Sequence, residues 1–149
     1  MRLWKVLLFV AGLYASFVIA FEAIYLGHYQ PSFEDSGIPM LVLTTTGESG
    51  EPHHRMLARL KTDGKLYVSA HHWPRGWYHH AVEHPDVAVS VGEVRENYRA
   101  VPIEGEEFER VAARFPIPLR ARFLMGFPPP RDILRLDPVA PPLLEDSAQ

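Results

Sequence analysis

A glycine-bracketed turn between two predicted strands is the first stretch of this 149-residue chain that could bind a ligand. Gly47-Glu48-Ser49-Gly50 follows the apolar run Met40–Thr46, whose β-branched residues predict a buried strand. Small residues leave backbone N–H groups uncovered, and such groups can bind an anion. A glycine pair between strands is also the ordinary composition of a hairpin turn. The turn therefore predicts either an anion-binding loop or a plain hairpin.

Histidines are concentrated in the middle of the chain. Seven of the eight lie between His53 and His84, three times as adjacent pairs. Neighbouring residues on a strand point to opposite faces, so each pair offers one ligand, not two, to a common metal or haem site. No HExxH or comparable spacing occurs, and we predict surface or interface histidines and no metal site.

An aromatic cluster follows one of these histidine pairs. Trp73, Trp77 and Tyr78 are close together in the sequence. Their rings could form a platform on which a planar ligand stacks, or they could anchor a loop in the wall of the domain. The sequence leaves both interpretations open.

The composition excludes several classes of function. The chain has no cysteine, which excludes disulfides, thiolate metal sites and thiol catalysis. With a formal net charge of -3 and 22% charged residues, it lacks the basic surface of a nucleic-acid-binding protein. No Ser-His-Asp order, carboxylate pair or Walker-type loop supports hydrolysis or phosphoryl transfer.

The amino-terminal segment is the most hydrophobic part of the chain. Residues 6–26 contain a single charge, Glu22, which predicts either snorkelling to a membrane interface or a polar contact with a partner helix. A helix over this run would span about 30 Å, the thickness of a bilayer core. We predict a transmembrane anchor over residues 1–29. A cleaved signal peptide and the core helix of a soluble domain are the alternatives.

Flanking charges predict the orientation of this anchor. Arg2 and Lys5 precede the apolar run, while Glu34 and Asp35 follow it. The positive-inside rule then places the amino terminus in the cytoplasm and the remaining domain on the non-cytoplasmic side. The prediction is a single-pass membrane protein in contact with lipid.

Alternation and turn signals organise the rest of the chain into one small domain. Residues 30–36 are predicted to be a linker, 37–140 a domain and 141–149 a loose tail. Strands are predicted over 40–46, 53–61, 65–70, 86–92, 94–103 and 133–136. One short helix is predicted to end near residue 84 and another to cover 104–115, followed by an apolar, proline-rich excursion over 116–130. Six short strands with two short helices predict a mainly β (α+β) fold, a small antiparallel barrel.

Three segments also carry a family resemblance. They are LVLTTTGESGEP (residues 41–52), WYHHAVEHPDV (77–87) and RDILRLDPV (131–139). They resemble the L-L-T-T-x-G-(R/K)-x-(S/T)-G-x-P segment, the P-x-W-Y-x-N helix start and the closing turn of the deazaflavin-dependent nitroreductase family. That family consists of split β-barrels related to the FMN-binding pyridoxamine-phosphate-oxidase barrels. The resemblance covers residues 37–140 and implies a six-stranded split β-barrel.

The resemblance also implies which residues hold a cofactor. In the family, basic residues of the loop bind the phosphate-bearing tail of the coenzyme, but this loop has Glu48 where a cation is expected, so Arg55, Arg59 and Arg75 would have to supply the positive charge. A histidine, His80, stands where the family has asparagine. The implied cofactor-binding residues are Gly47, Ser49, Gly50, Pro52, Arg55, Arg75, Trp77, Tyr78 and His80.

Two functions remain open at this point. One is a membrane-anchored oxidoreductase that transfers a hydride between a deazaflavin, or FMN, and a quinone-like or nitroaromatic substrate. The other is a non-catalytic accessory subunit that binds no cofactor and docks against a larger membrane protein complex. The sequence singles out no catalytic residue for either.

Overall fold

The computed structural model describes residues 3–24, 39–73 and 75–139. They form four helices and seven strands, in the order α1 (Leu3–Ile24), β1 (Met40–Thr46), β2 (Pro52–Ala58), β3 (Leu60–Thr62), β4 (Lys65–Ala70), α2 (Gly76–Glu83), β5 (Asp86–Val91), β6 (Val94–Pro102), α3 (Gly105–Arg114), α4 (Leu119–Leu124) and β7 (Asp132–Pro138).

The seven strands form one curled antiparallel sheet. The strand order is β2-β1-β5-β6-β7-β4-β3, so the two edge strands are also consecutive in the chain. Only Arg59 separates them, and its N–H donates to the Pro39 carbonyl at 2.8 Å, just past the end of the β1–β2 ladder. One continuous stretch of chain therefore pairs with β1 before Arg59 and with β4 after it, which curls the sheet into a half-barrel.

Tight turns fix the register of the hairpins. Asp63 and Gly64 join β3 to β4, and both have positive φ, at 52° and 72°. Positive φ at both central residues is what a two-residue hairpin loop requires, and the Asp-Gly pair supplies it at little cost.

The core lies inside the curled sheet and beneath α2. Leu43, Val68 and Leu134 are fully buried there, and α2 contributes Trp77 and Ala81. A smaller cluster lies under α3, where Val111 packs with Tyr67, Ile103 and Ile133. Phe108 of α3 and Phe115, which follows it, also pack against that cluster.

Helix α1 packs against the domain through the second half of its length. The Tyr14 hydroxyl donates to the Phe123 carbonyl at 2.7 Å, and the only buried side chains of α1 are Val18 and Glu22. Gly126 makes this approach possible, because a Cβ there would lie 2.6 Å from Cγ1 of Val18.

The predicted fold class is confirmed, with two corrections to its elements. Seven strands replace the six predicted, because the predicted strand over 53–61 is divided at Arg59 between two partners. Besides α1 there are three short helices rather than two, because residues 119–124 of the proline-rich excursion form α4. The predicted linker over 30–36 and the tail over 141–149 lie outside the described residues.

Candidate functional site

A cavity of about 430 Å³ lies where α1 meets the half-barrel. This volume falls within the range of small-molecule sites. Its walls are largely apolar and come from several distant parts of the chain, represented by Phe21, Leu57, Ala70, Trp77, Ile117 and Leu124.

Two of the residues that line this cavity each have a buried polar atom without a hydrogen-bond partner. These atoms are Nε of Arg55 on β2 and Oγ of Ser69 on β4. Residues 53, 55 and 57 share one face of β2, and the burial of Leu57 in the core shows that this face is turned inward. A buried N–H or O–H without a partner costs about 1–3 kcal/mol, so both groups are suited to an oxygen atom of a bound molecule.

Two histidines and a carboxylate form a polar cluster beside these atoms. His71 and His72 line the cavity with their ring centroids 4.6 Å apart. Burial lowers the pKa of each to about 4, helped by the neighbouring positive charges, so both rings are neutral at pH 7. Nδ1 of His72 lies 3.1 Å from Glu22 Oε1 of α1. Because the His72 ring is neutral, this contact is a hydrogen bond from Nδ1–H to the Glu22 carboxylate rather than an ion pair.

Arg131 also lines the cavity. Its guanidinium donates to the carbonyls of Phe115 and Ala112 at 2.6 and 2.7 Å, at the end of α3. Cations are favourable at a helix C-terminus, where backbone carbonyls are left without partners. Arg131 thus fixes α3 to the start of β7 and contributes a positive charge to the cavity lining.

The glycine turn lies apart from this cavity and is largely a hairpin. The N–H of Gly47 donates to the Glu51 carbonyl at 2.8 Å, and the N–H of Gly50 to the Gly47 carbonyl at 3.0 Å. Two of its backbone N–H groups are therefore already used. Glu48, Ser49 and Gly50 are exposed, as is Pro52 at the start of β2.

A pair of neighbouring histidines, His53 and His80, connects this turn to α2. Nε2 of His53 lies 3.0 Å from the Glu51 carboxylate, and the His53 ring lies 4.7 Å from that of His80. The side chains of Glu51 and His53 cover Gly47. A Cβ at this position would collide with the Glu51 carboxylate and approach His53 Nε2 to 2.7 Å. Nδ1 of His80 is buried without a partner. The structure thus brings His80 close to the predicted loop.

The remaining predicted residues lie around the start of α2. Arg75 donates to the carbonyls of His72, Pro129 and Pro130 and to the Asp132 carboxylate, at distances of 2.6–3.0 Å. Its guanidinium therefore joins α2 to the start of β7.

The aromatic residues of this region have three different positions. Trp77 is in the core and lines the cavity, and Tyr78 packs against the same core. The Trp73 indole N–H donates to the Met125 carbonyl at 2.9 Å, which anchors its loop.

Of the nine predicted residues, the structure brings only Arg55 and Trp77 to the cavity. The sequence prediction missed Glu22, Ser69, His72 and Arg131. For Glu22 a signal existed, since it is the single charge in residues 6–26. The structure gives it a contact with His72 of the same chain rather than with a partner helix. Within residues 3–24, 39–73 and 75–139, no group of three or more His, Asp or Glu side chains could hold a metal ion.

Comparison with known proteins identifies the family of this chain. The F420H2-dependent quinone reductase family matches residues 26–117. F420 is a deazaflavin coenzyme, so the predicted family is confirmed, although the match begins before the predicted segment 37–140 and ends earlier. No curated protein matches significantly.

Solved structures share the fold at low sequence identity. An F420H2-dependent reductase, FDR-A, is 24% identical with a TM-score of 0.52, over 66% of this chain and 94% of that one. A chain described as a domain-swapped dimer is 26% identical with a TM-score of 0.53, over 66% and 80%. HutZ, a haem storage protein from Vibrio cholerae, is 16% identical with a TM-score of 0.51, over 74% and 90%. The fold, the motif order and the family match together show that this chain belongs to the F420H2-dependent quinone reductase family.

Proposed function

We propose that this protein is a membrane-anchored oxidoreductase that binds reduced deazaflavin and uses it to reduce a quinone-like acceptor. Family membership supports the class of reaction. The structural observation that carries the proposal is the cavity, in which Arg55 and Ser69 offer buried donors without partners.

The cavity residues are suited to a polar-edged planar ring. The apolar walls can contact the faces of such a ring, and a carbonyl oxygen at its edge would accept from Arg55 Nε–H and Ser69 Oγ–H. A hydrogen bond to a charged donor contributes about 1.5–3 kcal/mol, which makes Arg55 the strongest single contact we assign.

The coenzyme supplies the chemistry, since reduced deazaflavin is a hydride donor. The chain's own residues bind, orient and exclude water. We assign Arg55 and Ser69 to orienting the ring, and Trp77 and Phe21 to the walls that exclude water. His71 and His72 add no positive charge to the site at pH 7, because burial lowers the pKa of each imidazole to about 4.

The predicted loop is proposed to contact the phosphate-bearing tail. Gly47, Ser49, Gly50 and Pro52 belong to one turn region, which is exposed except at the buried Gly47, with His80 beside it through His53. Tyr78 is proposed as a neighbour of the coenzyme, whereas Arg75 is proposed to shape the start of α2 rather than to bind a phosphate, since its donors are used.

Membrane anchoring by α1 is the other part of the proposal. Leu3–Ile24 is long and apolar enough to cross a bilayer, and most of its side chains, such as Leu8 and Phe9, are exposed. This exposure is unlike that of a core helix, and a membrane-held enzyme would meet lipid-soluble quinones directly. The cytoplasmic position of the amino terminus stays a prediction from flanking charge.

Titration of the full-length protein in mild detergent tests the function. Reduced F420 should bind saturably, and adding a quinone should cause its oxidation, followed by absorbance. FMN and a nitroaromatic acceptor, tested in parallel, should bind or react less well. An absence of binding at high micromolar F420 would overturn the proposal and favour the accessory-subunit alternative.

A further inference from the structure

We propose that the bilayer contacts a second surface of the protein, centred on α4, and that this surface is embedded in the same membrane as α1. We call it the α4 patch and define it as Trp73, Leu119, Phe123 and Phe127. The inference rests on the membrane anchoring by α1 proposed above.

The α4 patch is unusually apolar for a surface in water. Its four side chains are 48–70% exposed, with Leu119 the most exposed. They adjoin one another, since Leu119 and Phe123 are one helical turn apart and the rings of Phe123 and Phe127 lie 6.0 Å apart. A contiguous exposed patch of this kind marks a protein or membrane interaction site.

The α4 patch is continuous with the apolar surface of α1. The rings of Tyr14 and Phe123 lie 5.2 Å apart, and the Tyr14 hydroxyl donates to the Phe123 carbonyl. Val18 packs over Gly126, next to the indole of Trp73. A membrane around α1 would therefore also meet the α4 patch.

Helix length strengthens this conclusion. Tyr14 is near the middle of α1, so only the part from Tyr14 back to Leu3, about 16 Å, extends beyond its contact with Phe123. A bilayer core is about 30 Å thick. If the domain stayed entirely outside the core, Lys5 would end near the midplane, where a charge costs at least about 2.5 kcal/mol. Embedding the α4 patch by about 5–10 Å moves Lys5 towards the opposite interface.

Two further features suit a membrane surface. Phe127 has φ of +48°, a left-handed conformation that costs a non-glycine residue about 1–2 kcal/mol, yet it presents an exposed aromatic ring. Arg120 and Arg122 are exposed on the same short helix. Their charges complement anionic lipid headgroups at the rim of an embedded patch.

This placement gives lipid-soluble molecules a short path to the cavity. Ala121 and Leu124 line the cavity, whereas Leu119 and Phe123, on the same helix, are exposed. Helix α4 thus separates the cavity from the proposed lipid phase by the thickness of one helix. The acceptor class that follows is a quinone with a hydrophobic tail.

Depth-dependent quenching tests the embedding, and the absence of native cysteine permits single-site labelling. Variants Leu119→Cys and Phe127→Cys carry an environment-sensitive fluorophore in the otherwise native full-length chain. Phe9→Cys labels α1. Val94→Cys is the matched control, because Val94 is 61% exposed and lies at the start of β6, paired with Val91 across the β5–β6 turn. Each is reconstituted in phosphatidylcholine–phosphatidylglycerol vesicles that contain lipids spin-labelled along the acyl chain.

The labels at 9, 119 and 127 should shift to shorter emission wavelengths and lose most of their fluorescence to the spin-labelled lipid, while the label at 94 should do neither. Quenching at 9 but not at 119 or 127 would overturn the α4 patch and leave the anchor intact. No quenching at 9 would overturn the anchor and this inference with it. A third outcome is a label at 119 that shifts to shorter wavelengths without being quenched, in a protein that has the mass of a dimer. This outcome would assign the patch to a contact with a second copy of the chain and would also overturn the inference.

Discussion

The glycine turn and the cavity differ in what their polar groups already contact. In the turn, Gly47 and Gly50 use their N–H groups within the hairpin, and the Glu51 carboxylate contacts His53 on an exposed surface. In the cavity, Arg55 Nε and Ser69 Oγ are buried and have no partner. The turn therefore carries the most recognisable family motif, but its glycine N–H groups are already hydrogen-bonded. The donors that are still available to a ligand belong to residues of the cavity, which no motif marks.

The largest effect should follow from removing the Arg55 guanidinium from the cavity. Arg55→Gln should weaken F420 binding roughly 10- to 150-fold, because a hydrogen bond to a charged group contributes about 1.5–3 kcal/mol. Fluorescence titration measures the Kd. Arg95→Gln, at an exposed arginine of β6, is the control and should leave the Kd unchanged. Equal Kd values for the Arg55 variant and the native protein would contradict the assignment of the cavity.

The link between α1 and the cavity should have the next largest effect. Glu22→Ala removes the acceptor of the His72 Nδ1–H and should lower the free energy of unfolding by about 1–3 kcal/mol. At this chain length each kcal/mol corresponds to about 2–4 °C in Tm, measured in detergent by circular dichroism. Glu22→Gln keeps an acceptor oxygen and should lose less. A Tm that is the same for the alanine variant and the native protein would show that the contact contributes nothing.

The buried histidines predict a dependence of stability on pH. Burial lowers the pKa of His71 and His72 from 6.5 to about 4 in the folded state. Between pH 6.5 and 4 the unfolded chain binds more protons than the folded one, so stability should be complete above pH 6.5 and should fall as the pH decreases towards 4. The His71→Asn, His72→Asn double variant should show a shallower decrease in Tm over this interval. An equally steep decrease would assign the acid sensitivity to carboxylates.

The smallest effect is expected in the turn. Glu48→Lys restores the cation that the family pattern has there, but the site is exposed, so the gain in F420 affinity should be at most about fivefold and should disappear in high salt. Glu93→Lys makes the same charge change in the exposed β5–β6 turn and should have no effect. A gain of several orders of magnitude at residue 48 would make the turn, not the cavity, the dominant site.

Local signals predicted the strands because each is encoded by neighbouring residues. β1 and β4 have the predicted bounds, and Asp63-Gly64 forms the turn that precedes β4. The break at Arg59 has no glycine or proline to mark it, since it depends on the Pro39 carbonyl and on pairing with β4. Helix α4 is only six residues long between prolines, too short for periodicity to reveal.

The cavity could not be predicted for a related reason. Its walls come from residues as distant in the chain as Phe21 and Arg131, and only the curled sheet and the packing of α1 bring them together. Arg55 and Trp77 were identified through the family resemblance. Ser69 has no local signal, because an isolated serine on a strand is usually unremarkable and only its burial without a partner distinguishes it.

A crystal structure of the full-length protein with F420 would show where the coenzyme binds. We expect the ring in the cavity, with a ring oxygen within hydrogen-bonding distance of Arg55 Nε and Ser69 Oγ. A ring bound elsewhere, with both donors still unpaired, would contradict this expectation.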